Sequence, residues 1–188
     1  MSRFDRDRWD KKYSAHNPNP SFAPDPLLEE HAYWLSGRGL ALDLACGVGH
    51  NAMYLARRGF EVMAIDLSLT GLYCGRAALA GSGLPVLFVA ADLDDYMPAP
   101  GSFDLVTVFR FWSRALVPRI KSVLRPGGML IYQTFNVNQL RQASHMRREY
   151  LLEPGELAGV FADLETLATN DSANIATELT YWIGRRPR

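Results

Sequence analysis

Three aspartates fall at the ends of short apolar runs. Asp43 follows Leu40-Ala41-Leu42, Asp66 follows Val62-Met63-Ala64-Ile65, and Asp92 follows Val86-Leu87-Phe88-Val89-Ala90. Between the first two lies Ala45-Cys46-Gly47-Val48-Gly49-His50-Asn51, two glycines one residue apart that open a helical pattern. Strand, glycine turn and helix in that order make the first half of a βαβ nucleotide-binding unit. Glycines there turn the backbone sharply and let a flat ligand lie against it without a Cβ in the way. Asp66 stands close to the roughly 20-residue offset at which a carboxylate accepts from ribose hydroxyls. Asp92, or the Leu93 backbone beside it, can read the amino edge of a purine, with Asp94 and Asp95 crowding it. Asp43 either faces a ligand or caps the loop through backbone N–H groups. Three acids at one edge of three successive parallel strands are a stronger signal than any one of them.

The elements that must position these residues follow from periodicity and turn chemistry. Phe4, Arg8, Trp9 and Tyr13 fall at helical spacing, and the Asn17-Pro18-Asn19-Pro20 and Ala23-Pro24-Asp25-Pro26 stretches break that helix. A second helix is predicted over 26–36, ended by Gly37 and Gly39. From residue 40 strands and helices alternate: a strand at 40–45, a helix at 50–58, a strand at 61–65, and a helix capped by Ser68 that runs to about Ala80. Strands at 85–90 and 103–109, a helix at 113–124, a turn at Pro126-Gly127-Gly128 and a strand at 129–135 continue the pattern. A polar helix is expected over 138–148 and a short one reaching Phe161. Strands at 161–167 and 175–183 flank a polar turn and read as a hairpin. The expected fold is α/β, a Rossmann-like doubly wound seven-stranded sheet, mostly parallel with an antiparallel C-terminal hairpin. One domain is expected over 1–188, with 1–38 as an N-terminal helical cap or lid and 39–188 as the Rossmann-like core.

These residues resemble the class I S-adenosylmethionine-dependent methyltransferases. Asp43-Leu44-Ala45-Cys46-Gly47-Val48-Gly49 resembles their first motif, and Asp66 the acid after strand two. Ala91-Asp92-Leu93 is similar to their adenine-contacting segment, Phe103-Asp104-Leu105-Val106 to their fourth strand, and Leu124-Arg125-Pro126-Gly127-Gly128 to the turn into the fifth. The terminal hairpin suits a fold whose seventh strand is antiparallel. The resemblance spans roughly residues 38–185, and the Trp9…Tyr13 helix makes small-molecule enzymes of the tellurite-resistance and thiopurine type the most similar. Ala45 stands where many members carry a glycine. The resemblance implies S-adenosylmethionine as cofactor, held by Asp43, Ala45, Cys46, Gly47, Gly49, Asn51, Asp66, Leu67, Asp92, Leu93 and Phe109, and methyl transfer to a small-molecule acceptor by in-line displacement.

Trp9, Tyr13, Phe22, Arg110 and Phe111 are the candidates for the acceptor pocket, with packing of the N-terminal helix as the other reading of the aromatics. Arg110 and His145 are weak catalytic candidates: Arg110 can hold an acidic group or make a surface ion pair, and His145, among Arg141, Arg147 and Arg148, can act as a base or lie on a solvated face. Two other functions share the motifs, an NAD(P)-dependent oxidoreductase and a non-catalytic S-adenosylmethionine-binding module. Against the first, Asp43 would repel a pyrophosphate and suits a cationic ligand, nearly forty residues precede the glycine turn, and Tyr132 has no lysine four residues on.

Composition narrows the partners. Lys+Arg and Asp+Glu are 20 each, so no charge imbalance argues for nucleic acid or an anionic membrane. The two cysteines make no disulfide framework, which fits a reducing cytoplasm, and Cys46 inside the loop reads as a small apolar residue rather than a nucleophile. No apolar h-region marks residues 1–12 and no apolar run has transmembrane length. The four histidines lack a metal-ligand spacing, so no metal is expected.

Overall fold

A computed structural model describes residues 3–15, 22–172 and 176–188. The expected break at 17–20, His16 and the expected strand start at Ile175 lie outside them. The chain forms two compact units, Met1–Met97 and Pro98–Arg188.

The first unit holds α1 (Arg3–Ala15), α2 (Pro26–Glu30), β1 (Leu40–Leu44), α3 (His50–Arg57), β2 (Glu61–Asp66), α4 (Leu69–Leu79) and β3 (Val86–Ala90). Its three strands pair in parallel in the order β3-β2-β1, with Asp43 opposite Ala64 and Asp66 opposite Ala90. Four of the five β1 residues are buried, as the near-continuous apolar run of a strand covered on both faces demands. Two helix starts read directly from sequence. Asp25 accepts from the Leu27 N–H with Pro26 next, and the Ser68 hydroxyl accepts from the Gly71 N–H. The helix expected over 26–36 instead stops at Glu30, and a 3-10 turn follows at Ala32–Trp34. Tyr33 is 72% exposed, so the later residues bury no face that would hold further α turns.

The second unit holds β4 (Phe103–Phe109), α5 (Val117–Val123), β5 (Leu124–Phe135), α6 (Glu156–Val160), β6 (Glu165–Thr169) and β7 (Leu179–Arg185). β4 and β5 are parallel, and β7 lies between β5 and β6, antiparallel to both. Trp112, Tyr132, Phe161 and Trp182 form a buried row, with successive ring centroids 5.6, 5.7 and 4.8 Å apart. The helix expected over 113–124 opens as a 3-10 turn at Arg114–Leu116, because Pro118 has no N–H to return to residue 114. The helix expected over 138–148 does not form. Two 3-10 turns, Val137–Arg141 and Arg148–Tyr150, stand there with no buried residue in either, and Asn136 draws the Asn138 N–H into a side-chain turn. The strand expected at 161–167 begins only at Glu165, because Phe161 is fully buried as a core residue and closes a turn with Leu164. The expected turn at 126–128 is absorbed into the start of β5. The seven strands are those of a mixed sheet, mostly parallel with antiparallel C-terminal strands, as expected.

Candidate functional site

Three residues of the loop after β1 adopt left-handed backbone: Ala45 (φ 54°), Gly47 (φ 58°) and Gly49 (φ 76°). The loop closes on itself through Gly49 N–H to the Cys46 carbonyl at 2.9 Å, and is tied to β2 by Cys46 N–H to the Ile65 carbonyl at 3.0 Å. Both glycines are sterically required. A Cβ on Gly47 would strike the Tyr13 hydroxyl, and one on Gly49 would come within 2.5 Å of the Phe88 ring. α4 approaches the loop from the other side through Gly71 and Gly75, which share a helix face. A Cβ on Gly71 would lie 3.0 Å from the Gly47 carbonyl oxygen, and one on Gly75 would strike that of Val48.

Asp66 fastens this loop. Its Oδ2 accepts from the Gly47 N–H at 2.7 Å and its Oδ1 from the Ser68 N–H at 2.8 Å. Burial raises its pKa above the ordinary aspartate range, and the N–H groups of Ser68, Gly47 and Leu67 oppose that rise. Asp43 is also buried, at the end of β1. Burial first, then the Asp66 and Asp43 charges, push the Cys46 thiol well up. A protonated buried thiol is no nucleophile, in line with its reading as a packing residue.

The N-terminal helix lies against this loop. Trp9 and Tyr13 stack with ring centroids 6.2 Å apart, and burial together with Asp66 and Cys46 raises the Tyr13 phenol. Asp10 is a member of the site that the sequence reading missed. Its Oδ1 accepts from the Ser68 hydroxyl at 2.5 Å and the Thr70 N–H at 3.0 Å, so α1 supplies a second cap to α4.

Other expected cofactor residues are engaged differently. Asn51 is buried, and its side-chain oxygen accepts from the Asp25 N–H at 2.8 Å, tying the start of α2 to α3. Leu67 and Leu93 are buried beside Asp66 and Asp92 in the chain. Asp92 folds a turn over itself: its Oδ1 accepts from the Asp94 N–H at 3.0 Å and its carbonyl from the Tyr96 N–H at 2.8 Å. Phe22 is half-buried.

In the second unit, Phe109 is buried at the end of β4, Arg110 is exposed and Phe111 is half-buried. Arg110 has left-handed backbone (φ 56°), and its N–H donates to the Gln133 carbonyl at 2.8 Å. Its guanidinium donates to the Gln133 side-chain oxygen and lies over the Phe135 ring, 5.4 Å from the centroid. Gln133 and Phe135, two apart on one strand face, were not singled out from sequence. His145 is exposed on a turn, and the neighbouring Arg147 and Arg148 pair with Glu149 and Glu153. That is a solvated charged face, with no arrangement around His145 that would make it a base.

The first unit therefore offers a glycine turn with Tyr13 and Phe88 close against it and a buried carboxylate edge. The Asp66 carboxylate has up to four acceptor positions, one more than the Gly47, Ser68 and Leu67 N–H groups occupy. One ribose hydroxyl and a positively charged ligand group fit these acceptors, Asp43 supplying the second negative group.

Residues 41–128 match the family model described as a methyltransferase domain. The chain is 29% identical over 139 residues to a ubiquinone biosynthesis O-methyltransferase of Chromobacterium violaceum, covering 70% of this chain and 59% of that one. In fold it is similar to TehB from Haemophilus influenzae (TM-score 0.73, 17% identity, 96% of this chain and 66% of that chain). It is also similar to a protein solved in connection with conversion of a disulfide bond into a thioacetal group during echinomycin biosynthesis (TM-score 0.71, 23% identity, 97% and 92% covered). The chain spans about half the length of the curated relatives it matches. Among the described residues, no helix is long and apolar enough to cross a membrane.

Proposed function

We propose that this chain, which belongs to the S-adenosylmethionine-dependent methyltransferases, moves the methyl group of that cofactor to a small-molecule acceptor by in-line displacement. The observation that carries the reading is Asp66. One buried carboxylate fastens the glycine turn and presents acceptors at the end of β2, where a ribose is bound in this kind of sheet. The ubiquinone-type relative supports a small acceptor. When bound, S-adenosylmethionine supplies a methyl already activated on a sulfonium.

The residues of the chain then act by binding and orientation. Asp66 accepts from a ribose hydroxyl. Gly47 and Gly49 let Tyr13 and Phe88 close against the turn. Asp43 puts negative charge near its cationic end. Asp92 and Leu93 stand where the base is read. Trp9 and Tyr13 cover the loop and exclude water. A single domain over 1–188 carries all of this, with 1–38 as its cap. Fixing donor and acceptor in line replaces a bimolecular encounter with an oriented one, and no general base is required where the acceptor is a thiolate or another group already ionised.

Isothermal titration tests the reading. S-adenosylmethionine is expected to bind in the micromolar range and NAD not at all. Asp66→Ala removes the acceptor of a ribose hydroxyl, a charge-assisted bond worth about 1.5–3 kcal/mol, so affinity falls at least about tenfold. Circular dichroism and a thermal melt of the variant report whether the fold is kept. Binding of NAD in place of S-adenosylmethionine would overturn the proposal. Labelled donor offered with thiol, amine, phenol and metalloid acceptors separates an enzyme from a silent binding module.

A further inference from the structure

We propose that Asp10 is the latch of the donor site: by fastening α1 to α4 it holds that helix shut over the glycine turn, and so sets how fast the donor enters and leaves without setting how tightly it binds. This rests on the methyl-transfer reading above and adds a regulation of that same site. All of the groups concerned lie in the Met1–Met97 unit. The Tyr13 ring is wedged between the glycine turn and α4. Its hydroxyl stands where a Cβ on Gly47 would strike it, and its ring would lie 3.1 Å from a Cβ on Gly71. Burial, and then the charge of Asp66, raise the Tyr13 phenol, so this hydroxyl lies in the field of the carboxylate that meets the ribose. A ligand that lies on the turn and reaches Asp66 crosses the face that α1 covers. Its entry and exit therefore require α1 to lift.

Little else holds the helix down. Among the described side chains of α1 none is fully buried: Asp5, Trp9, Asp10 and Tyr13 are half-buried and the rest are exposed. An element attached by one half-buried stripe opens locally at low cost. The directed attachment is Asp10. Its Oδ1 accepts from the Ser68 hydroxyl at 2.5 Å and from the Thr70 N–H at 3.0 Å, at the N-terminal end of α4, where N–H groups lack helical partners and negative charge is favoured. These are not the groups that meet Asp66, which takes the N–H groups of Gly47, Ser68 and Leu67. The latch is therefore the same with or without a ligand on the turn. A contact made equally in both states cancels in the affinity, because only a differential interaction shifts an equilibrium. It does not cancel in the rates, since entry and exit both pass through the open state. Asp10 is thus a positioning residue that acts on the site through α1.

Surface plasmon resonance, with the full chain immobilised and S-adenosylhomocysteine in flow, reads both rates and the dissociation constant. Asp10→Ala removes two charge-assisted hydrogen bonds that solvent partly screens, so association and dissociation should each speed up about tenfold while the dissociation constant stays within about twofold. Asp10→Asn keeps an acceptor oxygen without the charge, and its rates should fall between those of Asp10→Ala and the unmodified protein. Lys11→Ala, an exposed change on the same helix, should alter neither rate. A thermal melt shows whether each variant is folded, and Asp10→Asn carries the comparison if Asp10→Ala is not. Rates that stay unchanged in the folded Asp10 variants overturn the proposal. A change in one rate alone overturns it too: faster dissociation alone means that Asp10 supports only the bound state, and faster association alone that α1 competes with the ligand. No binding of S-adenosylhomocysteine by the unmodified protein overturns the methyl-transfer reading and the latch with it, whereas binding with unmoved rates overturns the latch alone.

Discussion

At the residue scale, two side-chain-bearing residues stand in backbone that favours glycine, Ala45 and Arg110. Each is the residue immediately after a strand end, β1 and β4 in turn. The Ala45 φ of 54° is backbone that suits glycine. The methyl group there has a steric cost and no polar function. Ala45→Gly is therefore expected to stabilise the folded state by up to about 1 kcal/mol, since left-handed backbone costs an L-residue roughly 1–2 kcal/mol and glycine loses part of that gain to its own unfolded entropy. The urea midpoint should rise with an unchanged slope, and a fall would show that the methyl packs usefully. Arg110 differs: its strain accompanies a charged head that Gln133 and Phe135 hold in place.

At the element scale, the loop depends on helices placed against it from two sides. α4 reaches it through Gly71 and Gly75, and α1 is joined to α4 through Asp10. Burial pulls the Asp10 pKa up, but hydrogen bonds from Ser68 and Thr70 and the nearby Arg6 outweigh it, and the net value is lowered from 3.8. A carboxyl whose folded pKa is depressed stabilises the folded arrangement above its unfolded value. That contribution is lost as pH falls through the lowered folded value. Asp10→Ala should thus speed amide exchange in α1 at neutral pH relative to the unmodified protein. The two should converge once acid protonates Asp10, below the 3.8 of an ordinary aspartate. Equal exchange at neutral pH would show that the Trp9–Tyr13 face alone holds the helix. The elements that departed from expectation, the shortened α2 and the missing helix over 138–148, share one property: their residues bury too little to hold an α-helix.

At the scale of the whole molecule, binding of S-adenosylmethionine to the folded state alone raises stability by mass action. At 100 times the dissociation constant the gain is about 2.7 kcal/mol, and a chain of this size gains roughly 2–4 °C of Tm per kcal/mol. A melt with this ligand should shift upward by that scale, while NAD leaves it unmoved. No shift at saturating ligand would contradict binding to the native fold.

The sequence alone determined the β-α alternation, the seven strands, the glycine turn and the acids at the ends of β1 and β2. Each of these is written in local signals, such as apolar period, glycine and proline positions and capping residues, which act within a few positions of the chain. Only the tertiary structure decided which groups meet. Asp66 reaches the Gly47 N–H from 19 residues away, Asp10 meets Ser68 from 58, and Arg110 meets Gln133 from 23. It also set β7 between β5 and β6 and brought the Asn51 side chain to the Asp25 backbone. Such meetings depend on how whole faces pack and on which backbone groups need a partner once buried, and no spacing within one element encodes that.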